Sequence, residues 1–507
     1  MQQKIQSREN LKNIVLKEKK KGKKIVLCHG VFDLLHVGHI KHLEWSKKLG
    51  DILIVSVTSD RFVNKGPKRP AFDQKLRLEA LAALDAVNFV VLSDNPTAVE
   101  IIQTIRPGIY CKGSDYKSHK NDISGEIKNE LRAIKKCRGK IVYTKDITFS
   151  SSNLINKFGN LYSIKEKSLI NKIKKEYNFK KINNLIEKFK RFKVLVVGEL
   201  IIDQYFFCEA LGKSGKEPIL VLRDIKNETY IGGAGAICRH LSQFSNQISL
   251  LSMIGEKAEL LSKIKKKLNK SIKFNFIRKK NSPTILKKRF LDHVTNHKIF
   301  GVYSINDDLL TPNNEKEFNR KLRKLLPKHD IVIVSDYGHG LISRESAQLI
   351  CKKSKYLALN AQVNAANVGY HSMRNYKNVD FVIINEKEIR HELRDRNNKV
   401  EVLMKKLSSD QNIKNLTVTR GIKGSVLYNS KDKKFVFCDA YARSDIDKVG
   451  AGDAMLSMIA LCLNSKLNKN LSLLIASLGA AQSVETIGNK KSVNKVQILK
   501  TVENLMK

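Results

Sequence analysis

Twice in this chain a short apolar run opens a series in which strand-like and helix-like segments alternate, and that repeated alternation restricts the fold more than any other feature. The first run is KIVLCHG at 24–30, followed by HVGHIKHLEWSKKLG; the second is KVLVVGELIID at 193–203, read as one strand that opens a longer series. Around the first, DILIVSVTSD, VNFVVLSD, IYCKGSD and KIVYT read as further strands, with DQKLRLEALAAL and AVEIIQTIRPG as helices between them. Strand and helix in alternation predict a parallel sheet covered on both faces. The second series runs through DIVIVSD, YLALN, DFVIINE and LTVTRG and closes on the helices GDAMLSMIALCLN and LLIASLGAAQSVE. A length of 507 residues exceeds what one ordinary core accommodates. The predicted class is α/β in several parts: 1–22 an N-terminal extension, 23–158 a first domain, 159–192 a basic helical connector, and 193–507 a second domain.

Charge narrows the partners. Lys and Arg number 94 against 49 Asp and Glu, a net charge of +45. The lysines are spread through every segment, without an aromatic-interleaved basic stripe or zinc-finger spacing, so nucleic acid is not the expected partner. Phosphorylated substrates are. The start, MQQKIQSRENLKNIVLKEKKKGKK, has no apolar core and does not read as a signal peptide. No apolar run approaches the roughly 18 residues that a membrane span needs. The eight cysteines form no CxxC pair, and free thiols in a reducing cytoplasm are the expectation.

The first candidate site is GVFDLLHVGHIKHL. A strand delivers the chain to a turn, and a helix begins near Gly38. A helix N-terminus presents unpaired N–H groups and partial positive charge, which suits phosphate. Gly30 and Gly38 let backbone come close to a ligand. His36 and His39, three apart, can face one anion and stabilise charge growing on an α-phosphate while another phosphate attacks it. His42 prolongs the series, but spacing of this kind drifts around a helix by roughly 120°, which splays His42 away. The other His and Cys residues supply no fourth ligand, so zinc is set aside.

GVFDLLHVGH resembles the HxGH signature of the cytidylyltransferase-like nucleotidyltransferases. Asp60 in VTSD, Arg69 and Pro70, and Arg77 match further motifs of that family. KGSDY at 112–116 is similar to the KGGDY segment of heptose-1-phosphate adenylyltransferases, and TFSSSNLI at 148–155 to an ISTTxI motif that holds nucleotide phosphates. The resemblance implies a Rossmann-like domain with His36 and His39 catalytic. It implies nucleotide contacts at Gly30, Phe32, Asp33, Gly38, Lys112, Asp115, Ser150, Ser151 and Ser152. The KGSDY form favours ATP; CTP is the alternative, as in the glycerol-phosphate cytidylyltransferases with MGDDW there.

The second candidate site is DKVGAGDAM, again at a helix start. Gly450, Ala451 and Gly452 offer successive backbone N–H groups as an anion hole, and Asp453 at its mouth can take a proton from an attacking hydroxyl. No GxxxxGK[ST] is present, which excludes a P-loop. Residues 193–507 resemble the ribokinase-like (PfkB) sugar kinases, above all the kinase half of bifunctional heptose enzymes. GELIIDQY at 198–205 matches an opening segment that places Asp203 on sugar hydroxyls. KEPILVL matches an ExPV strand, IGGAGA with Gly232 and Gly233 a GGAAN turn, and SDYGHG with Asp336 the SDYxKG motif. NEKE, with Asn385 and Glu388, matches NxxE, associated with magnesium. TRGIKG, with Thr419, Gly421 and Gly424, flanks the nucleotide, and Asp447 joins these as an ATP-binding residue by resemblance.

The departures bear on substrate. Ala236 stands for the asparagine of GGAAN, His339 for the lysine of SDYxKG, and Asn360 and Gln362 replace the acid and lysine of IDPK. Losing that lysine removes a charge that would meet a sugar phosphate. The domain order also reverses that of the familiar bifunctional heptose enzymes. The resemblance implies a cytoplasmic, homo-oligomeric enzyme using ATP and Mg2+. It would phosphorylate a sugar or sugar phosphate and join a sugar 1-phosphate to AMP or CMP. The alternative is a nucleotidyltransferase alone, with the kinase fold retained as a binding or scaffold module.

Overall fold

The computed structural model describes residues 2–113, 125–144, 162–256, 264, 268–269, 271–363, 367, 371–442 and 446–507. The chain divides into two compact units, Met1–Ile164 with Val496–Lys507, and Lys165–Lys495.

In the first unit, strands β1 (Ile5–Gln6), β2 (Ile25–Gly30), β3 (Ile52–Thr58), β4 (Phe89–Ser93), β5 (Ile109–Lys112) and β6 (Lys140–Tyr143) form one sheet in the order β1-β4-β3-β2-β5-β6. Every pairing is parallel. Helices α1 (Arg8–Lys20), α2 (Val37–Lys47), α3 (Gln74–Ala82), α4 (Val99–Ile105) and α5 (Glu126–Lys136) connect them. Alternate residues of β2 serve opposite faces: Ile25 and Leu27 pack with Leu11, Val15 and Ile102, while Val26 and Cys28 pack with Leu43, Val55 and Cys111. The first 22 residues, read in the sequence as an extension, therefore supply an edge strand and a helix whose Leu11 and Val15 are buried. Residues 496–507, expected to end the second domain, fall in the first unit.

The second unit carries a nine-stranded sheet in the order β11-β10-β7-β14-β15-β16-β17-β18-β19. Its strands are β7 (Lys193–Gly198), β10 (Gln247–Ile254), β11 (Ile272–Arg278), β14 (Ile331–Asp336), β15 (Leu357–Ala361), β16 (Phe381–Asn385), β17 (Asn415–Thr419), β18 (Ser425–Asn429) and β19 (Lys434–Cys438). Pairing is parallel from β11 to β17 and antiparallel at the β17–β18–β19 edge. A separate four-stranded sheet, β13-β12-β8-β9, is built from β8 (Leu200–Lys213), β9 (Leu220–Gly233), β12 (Leu286–Asp292) and β13 (Lys298–Ser304). The segment KVLVVGELIID, expected as one strand, is thus two: Glu199 breaks it, and Gly198 at φ +158° lies against the carbonyl of Ser335. The region expected as a connector forms helices Ile164–Glu176 and Phe179–Glu187, and Tyr177 Oη accepts a hydrogen bond from Asn468 N at 3.1 Å. Among the described residues no helix is long and apolar enough to cross a membrane.

Candidate active sites

In the first unit, β2 ends at Gly30 and α2 opens with His36 as its N-cap. His36 Nδ1 accepts from Gly38 N at 3.1 Å, which places the proton of the neutral ring on Nε2. His39 stacks on His36, centroids 4.0 Å apart, and meets the edge of Phe32 at 5.3 Å. Phe32 adopts φ +50°, and its ring lies where a side chain at Gly30 would go, 3.0 Å from such a Cβ. Burial, with His36 and Lys65 alongside, lowers His39 to about 3. Burial and then Lys65 lower His36. Lys65, which the sequence reading passed over, is itself lowered to about 8 by burial and by Arg69. It is the cation that both histidines feel, and no motif marks it.

Asp33 is used inside the fold. One oxygen accepts from Arg69 Nη1 at 2.8 Å, and the other from Ala71 N at 2.6 Å and Phe72 N at 3.2 Å. Arg77, fully buried, donates to the carbonyls of Val31, Thr58 and Phe72 and to Asp60. These two groups tie the histidine loop to the segment after β3. Lys112 pairs with Glu130 at 2.5 Å, and Tyr110 Oη donates to the same carboxylate oxygen at 3.2 Å. Asp115, Ser150, Ser151 and Ser152 lie outside the described residues. His42 Nδ1 lies 3.2 Å from Thr144 Oγ1. Its neighbours include Cys28 and Cys111, a grouping that distance along the chain concealed.

In the second unit, helix Ala451–Asn464 starts at Gly450, whose φ of +87° suits glycine. Asp453 sits in the first turn, buried, and Oδ1 accepts from Tyr337 Oη at 2.9 Å. Burial raises its carboxyl to about 7, and the charge of Asp203 adds to that. Asp203 on β8 is ion-paired with Arg289 of β12, and Lys287 lies close enough to weigh on Asp453, Asp203 and His339. Gly232 admits Asp203: a Cβ there would lie 2.2 Å from Asp203 Oδ2. Gly233 at φ +57° would press on the Glu199 carbonyl. Asn489 is buried, with Oδ1 where a side chain on Gly450 would stand, 2.0 Å away, and Nδ2 3.7 Å from a Cβ on Gly232. Glu199, Lys287, Arg289 and Asn489 were not singled out in the sequence.

The remaining sequence-named positions mostly build loops. Asp336 accepts from Tyr376 Oη at 2.7 Å and Gly338 N at 3.0 Å. Glu199 accepts from Tyr337 N and His339 N at 3.0 and 3.2 Å, and burial, with Asp336 near, raises it to about 7. His339, buried, bonds Asp307 at 2.7 Å, and Asn360 donates to the Ile383 carbonyl at 3.0 Å. Ala236 is buried in helix Ala234–Leu241, and Gln362 N donates to the Asp336 carbonyl. Asn385 and Glu388 form a reciprocal capping box, each accepting from the other's backbone N–H at 2.9 Å, and burial raises Glu388 to about 7. Thr419 ends β17, and Gly421 and Gly424, both at positive φ, shape the turn to β18. Asp447 accepts from Lys298, Tyr205, Gly488 N and Val449 N; burial raises its carboxyl, but Lys298 and the N–H groups of Gly488 and Val449 outweigh this and hold it low.

Each unit of this α/β chain thus carries a helix start with a chemically distinctive group beside it, paired imidazoles in one and a buried carboxylate in the other. The profile of the pfkB family carbohydrate kinases matches residues 191–495, and the chain belongs to that family. The profile described as cytidylyltransferase-like matches residues 27–158. Similar curated proteins are the Bifunctional protein HldE of Syntrophotalea carbinolica, 44% identical over 115 residues (22% of this chain, 24% of that protein), and of Citrifermentans bemidjiense, 38% identical over 161 residues (31% and 32%). The chain thus spans at most about a third of these relatives' length. Among solved structures, the phosphofructokinase-2 of Escherichia coli in complex with potassium matches over 62% of this chain and 100% of its own, with TM-score 0.52 and 12% identity, a likeness of fold.

Proposed function

We propose that the chain is a bifunctional enzyme of nucleotide-sugar synthesis. The second unit phosphorylates a sugar or sugar phosphate with ATP, and the first transfers a nucleotidyl group, AMP by preference and CMP as the alternative, to a sugar 1-phosphate of heptose-like kind, releasing pyrophosphate. The observation that carries this is the presence of both groups in one chain: stacked His36 and His39 at one helix start, and Asp453 at the other.

In the kinase unit, Asp453 takes the proton of the attacking hydroxyl, and Gly450, Ala451 and Gly452 receive the transferring phosphoryl group at the helix start. Asp203 accepts from sugar hydroxyls. The lysine missing at Gln362 has counterparts: Lys287 and Arg289 bring two cations to Asp203 from β12 and favour an anionic sugar. Asn385 and Glu388 would hold Mg2+ through water, since both side chains serve the helix cap; the ion would neutralise charge on the ATP phosphates. In the transferase unit, His36 donates from Nε2–H to the α-phosphate, and Asp33 and Arg77 act by positioning the loop. Partners are then nucleoside triphosphates and sugar phosphates. A homo-oligomer is supported by the exposed apolar residues Ile299, Phe300, Val302 and Tyr303 on β13.

The test is a panel of sugars, sugar phosphates and sugar 1-phosphates with ATP or CTP, following ADP and pyrophosphate separately. ADP and pyrophosphate formation with phosphorylated heptoses is expected. Failure of every sugar to raise either product above background would refute the proposal.

A further inference from the structure

Cys28 on β2 and Cys111 on β5 are direct register partners on neighbouring parallel strands, and both are buried on the face that α2 covers. His42, one turn beyond His39 on α2, reaches the same point. One ligand atom from each of Cys28, His42 and Cys111 lies within 4.8 Å of the others. Among the described residues this is the single grouping of three such side chains so close together. Its surroundings are those of a second coordination layer. Ser46 Oγ lies 3.0 Å from Cys111 Sγ, and Thr144 Oγ1 lies 3.2 Å from His42 Nδ1, which orients the imidazole. Around a tetrahedral ion, with bonds of about 2.0 to 2.3 Å, ligand atoms stand roughly 3.5 to 4 Å apart, so closure needs a shift of about an ångström.

We infer that Cys28, His42 and Cys111 form a site for a thiophilic divalent cation, Zn2+ by preference, with water in the fourth position. Two thiolates and an imidazole select a borderline-soft ion and disfavour Mg2+ and Ca2+, which require oxygen. Binding replaces two S–H bonds by two S–Zn bonds and releases two protons to solvent, with no redox change. The ion would clamp β2, β5 and α2 together beneath the helix start that carries His36 and His39.

Co2+ serves as the probe, titrated into the full chain held reduced without a chelating thiol. One equivalent is expected to bind with thiolate-to-cobalt charge-transfer absorption, to be displaced by Zn2+, and to release protons. Cys28→Ala with Cys111→Ala should abolish the absorption although six cysteines remain. His42→Phe should keep the fold and weaken binding by at least about tenfold. Absence of the absorption in the unaltered chain, or an undiminished signal in the double variant, overturns the site. If the double variant does not fold, an unaltered affinity in His42→Phe overturns it. Metal uptake is read without nucleotide or sugar, so its failure leaves the nucleotidyl-transfer reading intact.

Discussion

At the level of single residues, the two sites use opposite protonation problems. As the proposed base, Asp453 would have to be ionised to accept a proton, yet burial raises it to about 7. A raised carboxylate is inactive as a base below that value and active above it. ADP formation, measured as kcat/KM against pH, should therefore rise through about pH 7 and level off, and Asp453→Asn should lower kcat by about 100-fold or more. A flat profile across pH 5 to 8 would show that this carboxylate is not the base. His39 is pushed the other way, to about 3, so its ring is neutral wherever the enzyme is assayed. Pyrophosphate release should then lack the acid limb near 6.5 that an ordinary imidazole gives. His39→Ala should cost about 100-fold in kcat, as loss of one donor to a transition-state anion does. An acid limb near 6.5 that vanishes in His39→Ala would mean that His39 titrates in its ordinary range, and an alkaline limb that vanishes there would mean the imidazolium, not the imidazole, is the working form.

At the level of elements, the proposed kinase specificity falls on β12. It carries Lys287 and Arg289 toward Asp203, with Lys287 5.5 Å from the Tyr303 ring centroid and 5.9 Å from that of Tyr337. Lys287→Met should raise KM for a phosphorylated sugar about tenfold or more while changing KM for its unphosphorylated counterpart little, since one charge-assisted hydrogen bond is lost. Equal changes for both sugars would remove Lys287 from phosphate recognition. The strand was not legible in the sequence. LKKRFLD has no clean alternation because neither face of this small sheet is a continuous core, and β9 exposes most of its middle. By contrast β7, β14 and β16 are buried nearly throughout and read directly as apolar runs. The same contrast holds in the sites. HVGH and GAGD announce helix starts by local spacing, whereas Lys65, Asn489 and the approach of Cys28 to Cys111 depend on which strands become neighbours. NxxE was legible as a motif, but its local geometry is a capping box, which any helix start with those residues can form.

At the level of the whole chain, the C-terminus belongs to the unit in which the chain began. Residues 496–507 group with the first unit, and a Cβ on Gly66, beside Lys65, would lie 3.1 Å from Thr501 Cγ2. Within the last helix, Lys495–Met506, the side chains of Ile498, Leu499, Val502 and Leu505 are buried. Burial of four such side chains contributes on the order of 5 kcal/mol or more, comparable with the total stability of an ordinary domain, about 5 to 15 kcal/mol. Ending the chain after Lys495 should therefore unfold or nearly unfold the first unit. Calorimetry should show one transition lost or shifted several degrees downward, and pyrophosphate release should disappear while ADP formation persists. The nucleotidyltransferase would then depend on residues translated after the entire kinase, so the first unit could complete its fold only when synthesis of the second was finished. Pyrophosphate release that survives the truncation at full rate would show that the helix is dispensable to the first unit and that the order of synthesis imposes no such constraint.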